Sequence, residues 1–262
     1  MFIIGERINP AGKSELACAI REGKKTLIQQ EALVQERSGA QALDINVFVP
    51  GIERIQAIRM AVESVRSVSQ LPLVIDDRDP NVVEAGLRYA GKNALINSPV
   101  DSEGGNTKIF SLADEFNAKM LILPMIHNRI PISTAEHIQL SRIILERLKD
   151  YGIPRERVAM DAILLALKQA KEKVMETLER IKQLKAELGV RAVIGLSNIS
   201  YQLKNRGELN ARFLRLAKGC GIDFVICDPL QKEVMTIMKN DIRTPHHSET
   251  KRFLEYAESC WV

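Results

Sequence analysis

The chain is poor in the features that most often announce a function. Its four cysteines among 262 residues, Cys18, Cys220, Cys227 and Cys260, form no CxxC pair and have no neighbouring histidine. That spacing excludes a zinc ribbon and a dithiol redox motif, and it reads as reduced, mostly packed thiols of a cytoplasmic protein. Histidine is also scarce, at four residues. The tandem His246-His247 sits in a polar stretch where adjacent side chains diverge, and His127 stands by itself, so no metal site is expected. No run approaches the roughly 18 apolar residues of a membrane span. The start, "MFIIGERINP", lacks the basic region and long apolar stretch of a signal peptide. The net charge of +4 is spread along helical segments instead of gathered in a patch, which argues for solvated helix faces and against a nucleic-acid surface.

What is present is alternation. Short apolar, β-rich runs recur at Phe2–Ile4, Ala42–Asn46, Leu73–Asp76, Ala94–Asn97, Met120–Leu123, Val158–Asp161, Ala192–Leu196 and Phe224–Cys227. Each is apolar over most of its length, as a parallel strand buried on both faces must be. Helical stretches lie between them. "TAEHIQLSRIILERLKDYG" places Ile138, Ile143, Ile144 and Leu148 on one face, and "KQAKEKVMETLERIKQLKAELG" does the same with Val174, Leu178, Ile181, Leu184 and Leu188. Eight such units match a (β/α)₈ (TIM) barrel of the α/β class. A doubly wound open sheet is the competitor, but the first strand leads into "GERINPAGK", which has no GxGxxG fingerprint. No linker or composition break divides the chain, so residues 1–262 read as one barrel domain. From about Asp241 onward no periodicity is evident, and that segment is expected to extend or wrap the final helix.

The strand ends carry the chemistry. They read "IIGERIN", "ALDINV", "LVIDD", "ALINS", "VAMDA", "VIGLSN" and "VICDP", and most deliver an Asp or Asn at the C-terminal edge. In a barrel those edges converge on one rim, which would gather Asn9, Asp44, Asn46, Asp76, Asn97, Asp161, Asn198 and Asp228. Helix capping is a competing account of any single position, and it suits Asp228-Pro229 and Asp79-Pro80 well. It suits Asn97 and Asp161 poorly, because they lie within or at the tip of an apolar run, several residues before any helix. A ligand pocket accounts better for the set. The rim has no lysine for Schiff-base chemistry and no glycine-rich phosphate loop after the last strand. Its carboxylates and amides suit a neutral, donor-rich heterocycle such as a pterin, whose amino group and ring N–H an ionised Asp can accept together. Gly104-Gly105, in "NSPVDSEGGN", could form a mobile lip or only a turn.

Taken together, "GERIN", "LDINV", "LVIDD…EAGL", "ALINS", "VAMDAIL", "VIGLSNIS" and "NR" followed by "LN" resemble the pterin-binding methyltransferase family. The match runs in order through essentially the whole chain. It looks most like the methyltetrahydrofolate:corrinoid protein methyltransferases of anaerobic bacteria, and is similar to the folate domain of cobalamin-dependent methionine synthase. The resemblance implies a barrel paired as a homodimer, tetrahydrofolate or methyltetrahydrofolate as substrate, and cobalamin carried by a separate corrinoid protein. That partner would be an iron–sulfur protein of acetyl-CoA synthesis or a small corrinoid protein of O-demethylation, with methyl transfer in either direction. Asp76, Asn97 and Asp161 would hold the pterin, with Glu6, Asn9 and Asn46 completing the binding set and Arg206 near the pocket wall. Asn198 would sit beside N5, stabilising its proton with help from Asp44 or Asp76. The chain departs from the pattern at Tyr201, where relatives commonly have Gln, at "DDR" after the third strand, and in the shorter loop "LPMIHNRIP". Two alternatives stay open: a dihydropteroate synthase-like enzyme, for which "FVICDPL" lacks an arginine–histidine pair, and a non-catalytic pterin- or corrinoid-binding protein.

Overall fold

The computed structural model describes residues 1–104, 107–240 and 247–260. Eight parallel strands, β1 (Phe2–Ile8), β2 (Ala42–Ile45), β3 (Leu73–Asp76), β4 (Leu95–Asp101), β5 (Lys119–Met125), β6 (Val158–Asp161), β7 (Arg191–Gly195) and β8 (Phe224–Cys227), pair in sequence order and close on themselves. Helices cover the outside: α1 (Ser14–Arg21), α2 (Lys25–Arg37), α3 (Arg54–Arg66), α4 (Pro80–Ala90), α5 (Thr107–Glu115), α6 (Thr134–Asp150), α7 (Leu167–Ala170), α8 (Val174–Leu188), α9 (Arg206–Gly219), α10 (Lys232–Lys239) and α11 (His247–Ser259). The expected TIM barrel is the architecture found.

Strand parity divides the core in two. One set of side chains, including Leu43, Ile45, Ile75, Ile96, Ile122, Met160, Ile194 and Val225, joins the layer between strands and helices. The alternate set, Ile4, Ala42, Val74, Leu95, Leu121, Ala159, Val193 and Phe224, packs separately as a plug inside the barrel, with Phe2 and Ile226 against it. Alternation along a strand is the cause, because successive side chains leave opposite faces. Fully burying one such Ile or Leu is worth about 1.5–3 kcal/mol.

The helices start and stop where local chemistry directs. Ser133 caps α6 by accepting from the Glu136 N–H at 3.2 Å, while Glu136 accepts from Ile132 N at 2.6 Å and pairs with Arg129. α8 ends at Gly189, whose left-handed backbone closes the last turn. Asp79 caps α4 through the Asn81 N–H at 2.9 Å with Pro80 at the first turn, so capping does account for that residue.

Several expectations need correction. β4 runs on through "NSPVD" to Asp101, pairing with β5 along its whole length, so most of the expected lip is strand. Beyond Asn97 it no longer pairs with β3, and Pro99 therefore sits where a missing N–H breaks no ladder bond. Gly105 and Asn106 lie outside the described residues, as do residues 241–246 and 261–262. The segment after Asp241 is not without periodicity: α11 buries Phe253 and Ala257, with the Phe253 ring 5.6 Å from that of Phe213 on α9. The stretch read as one helix from Lys168 to Gly189 is broken, with α7 and a 3₁₀ turn at Lys171–Lys173 preceding α8. Asp228 is not a helix cap either. α10 begins at Lys232, and Asp228 instead accepts from Leu230 N at 3.0 Å and pairs with Arg7 at 3.1 Å.

Candidate functional site

Two residues beyond the apolar plug, each strand presents its next inward position, and these positions form a ring at the C-terminal end of the barrel. Read around the strands they are Glu6, Asp44, Asp76, Asn97, Leu123, Asp161, Gly195 and Ile226. Six of the eight are polar or lack a side chain, directly above a tier that is wholly apolar. The sequence expectation that polar strand ends converge is met by Asp44, Asp76, Asn97 and Asp161.

Hydrogen bonds knit the ring across strands. Asn97 on β4 donates to Asp44 on β2 at 3.4 Å, bridging over β3. Asn46, just past β2, donates to the Asp76 carboxylate at 3.0 Å and to the Asp76 carbonyl at 3.2 Å. Its own oxygen accepts from Phe48 N at 2.8 Å. Asn46 therefore has both polar ends committed and acts by orienting Asp76. Asn9 is likewise occupied locally, its oxygen accepting from Ala11 N at 3.0 Å in the loop after β1. The paired acids of "DDR" divide their work: Asp76 faces the interior, while Asp77 is buried in a two-bond ion pair with Arg54 of α3 at 2.7 and 2.9 Å.

A bulge follows Glu6. Between the pairs Gly5↔Leu43 and Ile8↔Ile45, β1 holds one residue more than β2. The extra N–H, that of Arg7, is taken by the buried Gln35 side chain of α2 at 2.9 Å. Gly5 permits this approach, since a Cβ there would lie 2.3 Å from Gln35 Oε1.

Asn198 stands on the 3₁₀ turn Leu196–Asn198 that follows β7. It folds back over Gly195, where a Cβ would come within 3.1 Å of Asn198 Nδ2. The side chain is exposed, and its carboxamide has no hydrogen bond among the described residues. The turn is braced on both sides. The Ser197 hydroxyl donates to Glu6, and Arg206 donates to Ser200 Oγ at 3.1 Å and to the Ser197 carbonyl at 3.2 Å. Arg206 is itself exposed, so its place is to hold this turn.

The electrostatics of the ring are unusual for surface acids. Burial raises Asp161 to about 6, opposed by the Ile163 N–H and the Arg180 charge. Burial also raises Asp76 to about 6, opposed by Asn46 and reinforced by Asp77. Asp44 is pushed well above its ordinary value by burial and by the nearby Asp76 charge, against the Asn97 hydrogen bond. Glu6 is raised by burial, which the Ser197 hydroxyl partly offsets. Near neutrality the ring thus holds ionised acceptors beside Asp44, where burial and the Asp76 charge favour the protonated form. A flat heterocycle with an amino–N–H edge and a carbonyl finds both kinds of partner there.

Sequence reasoning missed Gln35, Ser197, His137, Thr177 and Arg180. The last three lie behind Asp161 on α6 and α8. Thr177 and Arg180 take positions i and i+3 of a face continued by Ile181 and Leu184, so the apolar stripe of α8 could have revealed them.

The model of a family described as pterin binding enzyme matches residues 5–228. The chain is 26% identical over 242 residues to the methylcorrinoid:tetrahydrofolate methyltransferase of Eubacterium limosum, covering 90% of this chain and 88% of that protein. It is 26% identical over 240 residues to methionine synthase of Mycobacterium tuberculosis, of which it spans 20%. Among solved structures, dihydropteroate synthase from Xanthomonas albilineans in complex with 7,8-dihydropteroate superposes with a TM-score of 0.72 at 18% identity, over 90% of each chain. The enzyme of Yersinia pestis with a pterine-sulfa conjugate gives 0.68 at 16%, over 96% of this chain and 93% of that one. These structural likenesses establish the barrel.

Proposed function

The chain belongs to the family of pterin-binding enzymes, and from that premise we propose that it transfers a methyl group between N5 of a tetrahydrofolate and the corrinoid of a partner protein. The observation that carries the reading is the juxtaposition of an inward acid and amide ring with Asn198, whose carboxamide is exposed and uncommitted at the mouth. The likeness to a methylcorrinoid:tetrahydrofolate methyltransferase over nearly the full length of both chains supports it.

In this reading Asp76, Asn97 and Asp161 grip the pterin ring, with Glu6 and Asp44 beside them. An ionised Asp accepts from the amino group and adjacent N–H together, and an Asn carboxamide can both donate and accept. The residues present fit a pterin, because a ring alternating acceptors and donors is what that edge requires. The partner's corrinoid supplies the methyl acceptor or donor. The work of this chain falls on N5. A tertiary amine bearing a methyl group releases it slowly unless the departing nitrogen is protonated or strongly hydrogen-bonded. Asn198 provides that stabilisation as charge shifts at N5, with Asp44 or Asp76 as the nearby carboxyl. One such preorganised donor is worth about 10²–10³ in rate. The reverse direction uses the same geometry on the unprotonated nitrogen.

The rim also fits a protein partner. Phe48, Ile132, Tyr201 and Leu230, on the loops after β2, β5, β7 and β8, are 61%, 65%, 53% and 40% exposed. Four large apolar side chains around one opening form the kind of surface a second protein covers. No described helix is long and apolar enough to cross a membrane. Mixing the protein with methyltetrahydrofolate and free cob(I)alamin should produce the methylcobalamin spectrum faster than a control without protein. Rates equal to the control, together with no binding of tetrahydrofolate, would end this proposal.

A further inference from the structure

We propose that Thr177 and Arg180 of α8, with His137 of α6, form a buried brace that fixes the direction of Asp161, making them positioning residues for pterin recognition. The inference rests on the function proposed above. Ile163 lies in the turn that follows β6. Ile163 has φ +56, a left-handed conformation that a β-branched residue adopts only when its surroundings impose it. The reward is local: in this turn the Ile163 N–H points back to Asp161 Oδ1 at 2.7 Å, tying one carboxylate oxygen and leaving the other to the barrel interior.

Three side chains impose the turn. The Thr177 hydroxyl donates to the Ile163 carbonyl at 2.8 Å, and Arg180 makes a long contact with the same oxygen at 3.5 Å. His137 bonds the Asp161 carbonyl through Nε2 at 2.7 Å. A carbonyl only accepts, so Nε2 carries the proton; burial keeps the ring neutral, with its pKa lowered to about 4. All three are almost fully buried, with Arg180 2% exposed and the other two 0%.

A core selected for stability alone would not keep this set. Arg180 Nε, His137 Nδ1 and the hydroxyl of Ser141, one turn beyond His137, are buried without a hydrogen-bond partner among the described residues. Buried unpaired polar groups destabilise, and because Glu176, the ion-pair partner of Arg180 at 2.8 Å, is 35% exposed, an apolar side chain of similar size at 180 strands no buried charge. The brace has a purpose that stability does not explain, and the group it touches is a ring acid.

The test compares Thr177→Val, Thr177→Ser and Arg180→Met with wild type in three measurements. These are the dissociation constant for tetrahydrofolate, the urea unfolding midpoint, and the ¹³C titration of the Asp161 carboxyl. Thr177→Val should weaken tetrahydrofolate about fivefold or more, as loss of one neutral hydrogen bond does, and Thr177→Ser should restore it. Arg180→Met should weaken binding while holding or raising the urea midpoint, a split that a purely structural role does not produce. The described charged and titratable groups around this turn are Arg180 and Glu176 from α8 and His137 from α6. Removing the Arg180 charge should therefore move the Asp161 midpoint upward. Unchanged affinity in both Thr177→Val and Arg180→Met overturns the brace. If wild type itself binds no tetrahydrofolate, the proposed function fails separately. The brace is then judged by the Asp161 midpoint, and one that Arg180→Met leaves unmoved refutes it.

Discussion

Replacing Asp161 by Asn asks whether the inward acids are kept against the interest of the fold. Burial lifts this carboxyl from 3.8 to about 6, despite the Ile163 N–H and the Arg180 charge. By linkage a rise of that size corresponds to about 3 kcal/mol, and partial solvation at the half-open rim reduces it to about 1–3 kcal/mol. The folded chain holds this proton more tightly than the unfolded chain does. Its contribution to stability is therefore fullest below about pH 4 and is lost as pH rises through about 6. Asparagine keeps the shape and can still accept from Ile163 N, but it does not titrate. Urea unfolding of the ligand-free proteins should give nearly equal stabilities at about pH 4. By about pH 7.5 the Asp161→Asn variant should be the more stable by about 1–3 kcal/mol. The same variant should bind tetrahydrofolate about 10–100-fold more weakly, because an ionised acceptor is gone. A variant less stable than wild type at pH 7.5, or a difference that does not vary with pH, would refute the reasoning.

Other perturbations address the rest of the site. Asn198→Ala should slow methyl transfer by about 10²–10³ while changing tetrahydrofolate affinity much less, as stopped-flow rates and calorimetry together would reveal. Gly195→Ala puts a methyl group 3.1 Å from Asn198 Nδ2 and should lower kcat by about tenfold with KM nearly unchanged, through displacement of that amide. Arg54→Ala strips the buried Asp77 of its partner and should destabilise the fold by about 2–3 kcal/mol in urea unfolding.

The barrel was legible because a parallel strand buried on both faces must be apolar along its length, and eight such runs stand out in the sequence. The polar residues of the ring were legible for the converse reason: Asn97 and Asp161 interrupt those runs where no helix needs a cap. Less legible was anything set by contact between distant segments. The bulge that follows Glu6 depends on Gln35, 28 residues beyond the Arg7 N–H from which it accepts. Asn46 looked equivalent to Asp44 in the pattern, yet its amide is spent on Asp76. Arg180 read as one more charge on a solvated helix, while the fold buries it beneath a strained turn. The continuation of β4 past Asn97 was hidden by Pro99, whose tolerance there depends on β3 having already ended.

The apolar plug beneath the acid ring has a further consequence for how charge enters and leaves the molecule. With Ile4, Ala42, Val74, Leu95, Leu121, Ala159, Val193 and Phe224 sealing the cylinder from below, protons can exchange with Glu6, Asp44, Asp76 and Asp161 only through the open end. Once a substrate lies across that single doorway, the count of protons inside is set for as long as it stays. The protonation state with which a turnover begins is thus chosen at the moment of docking, by the solvent the substrate displaces.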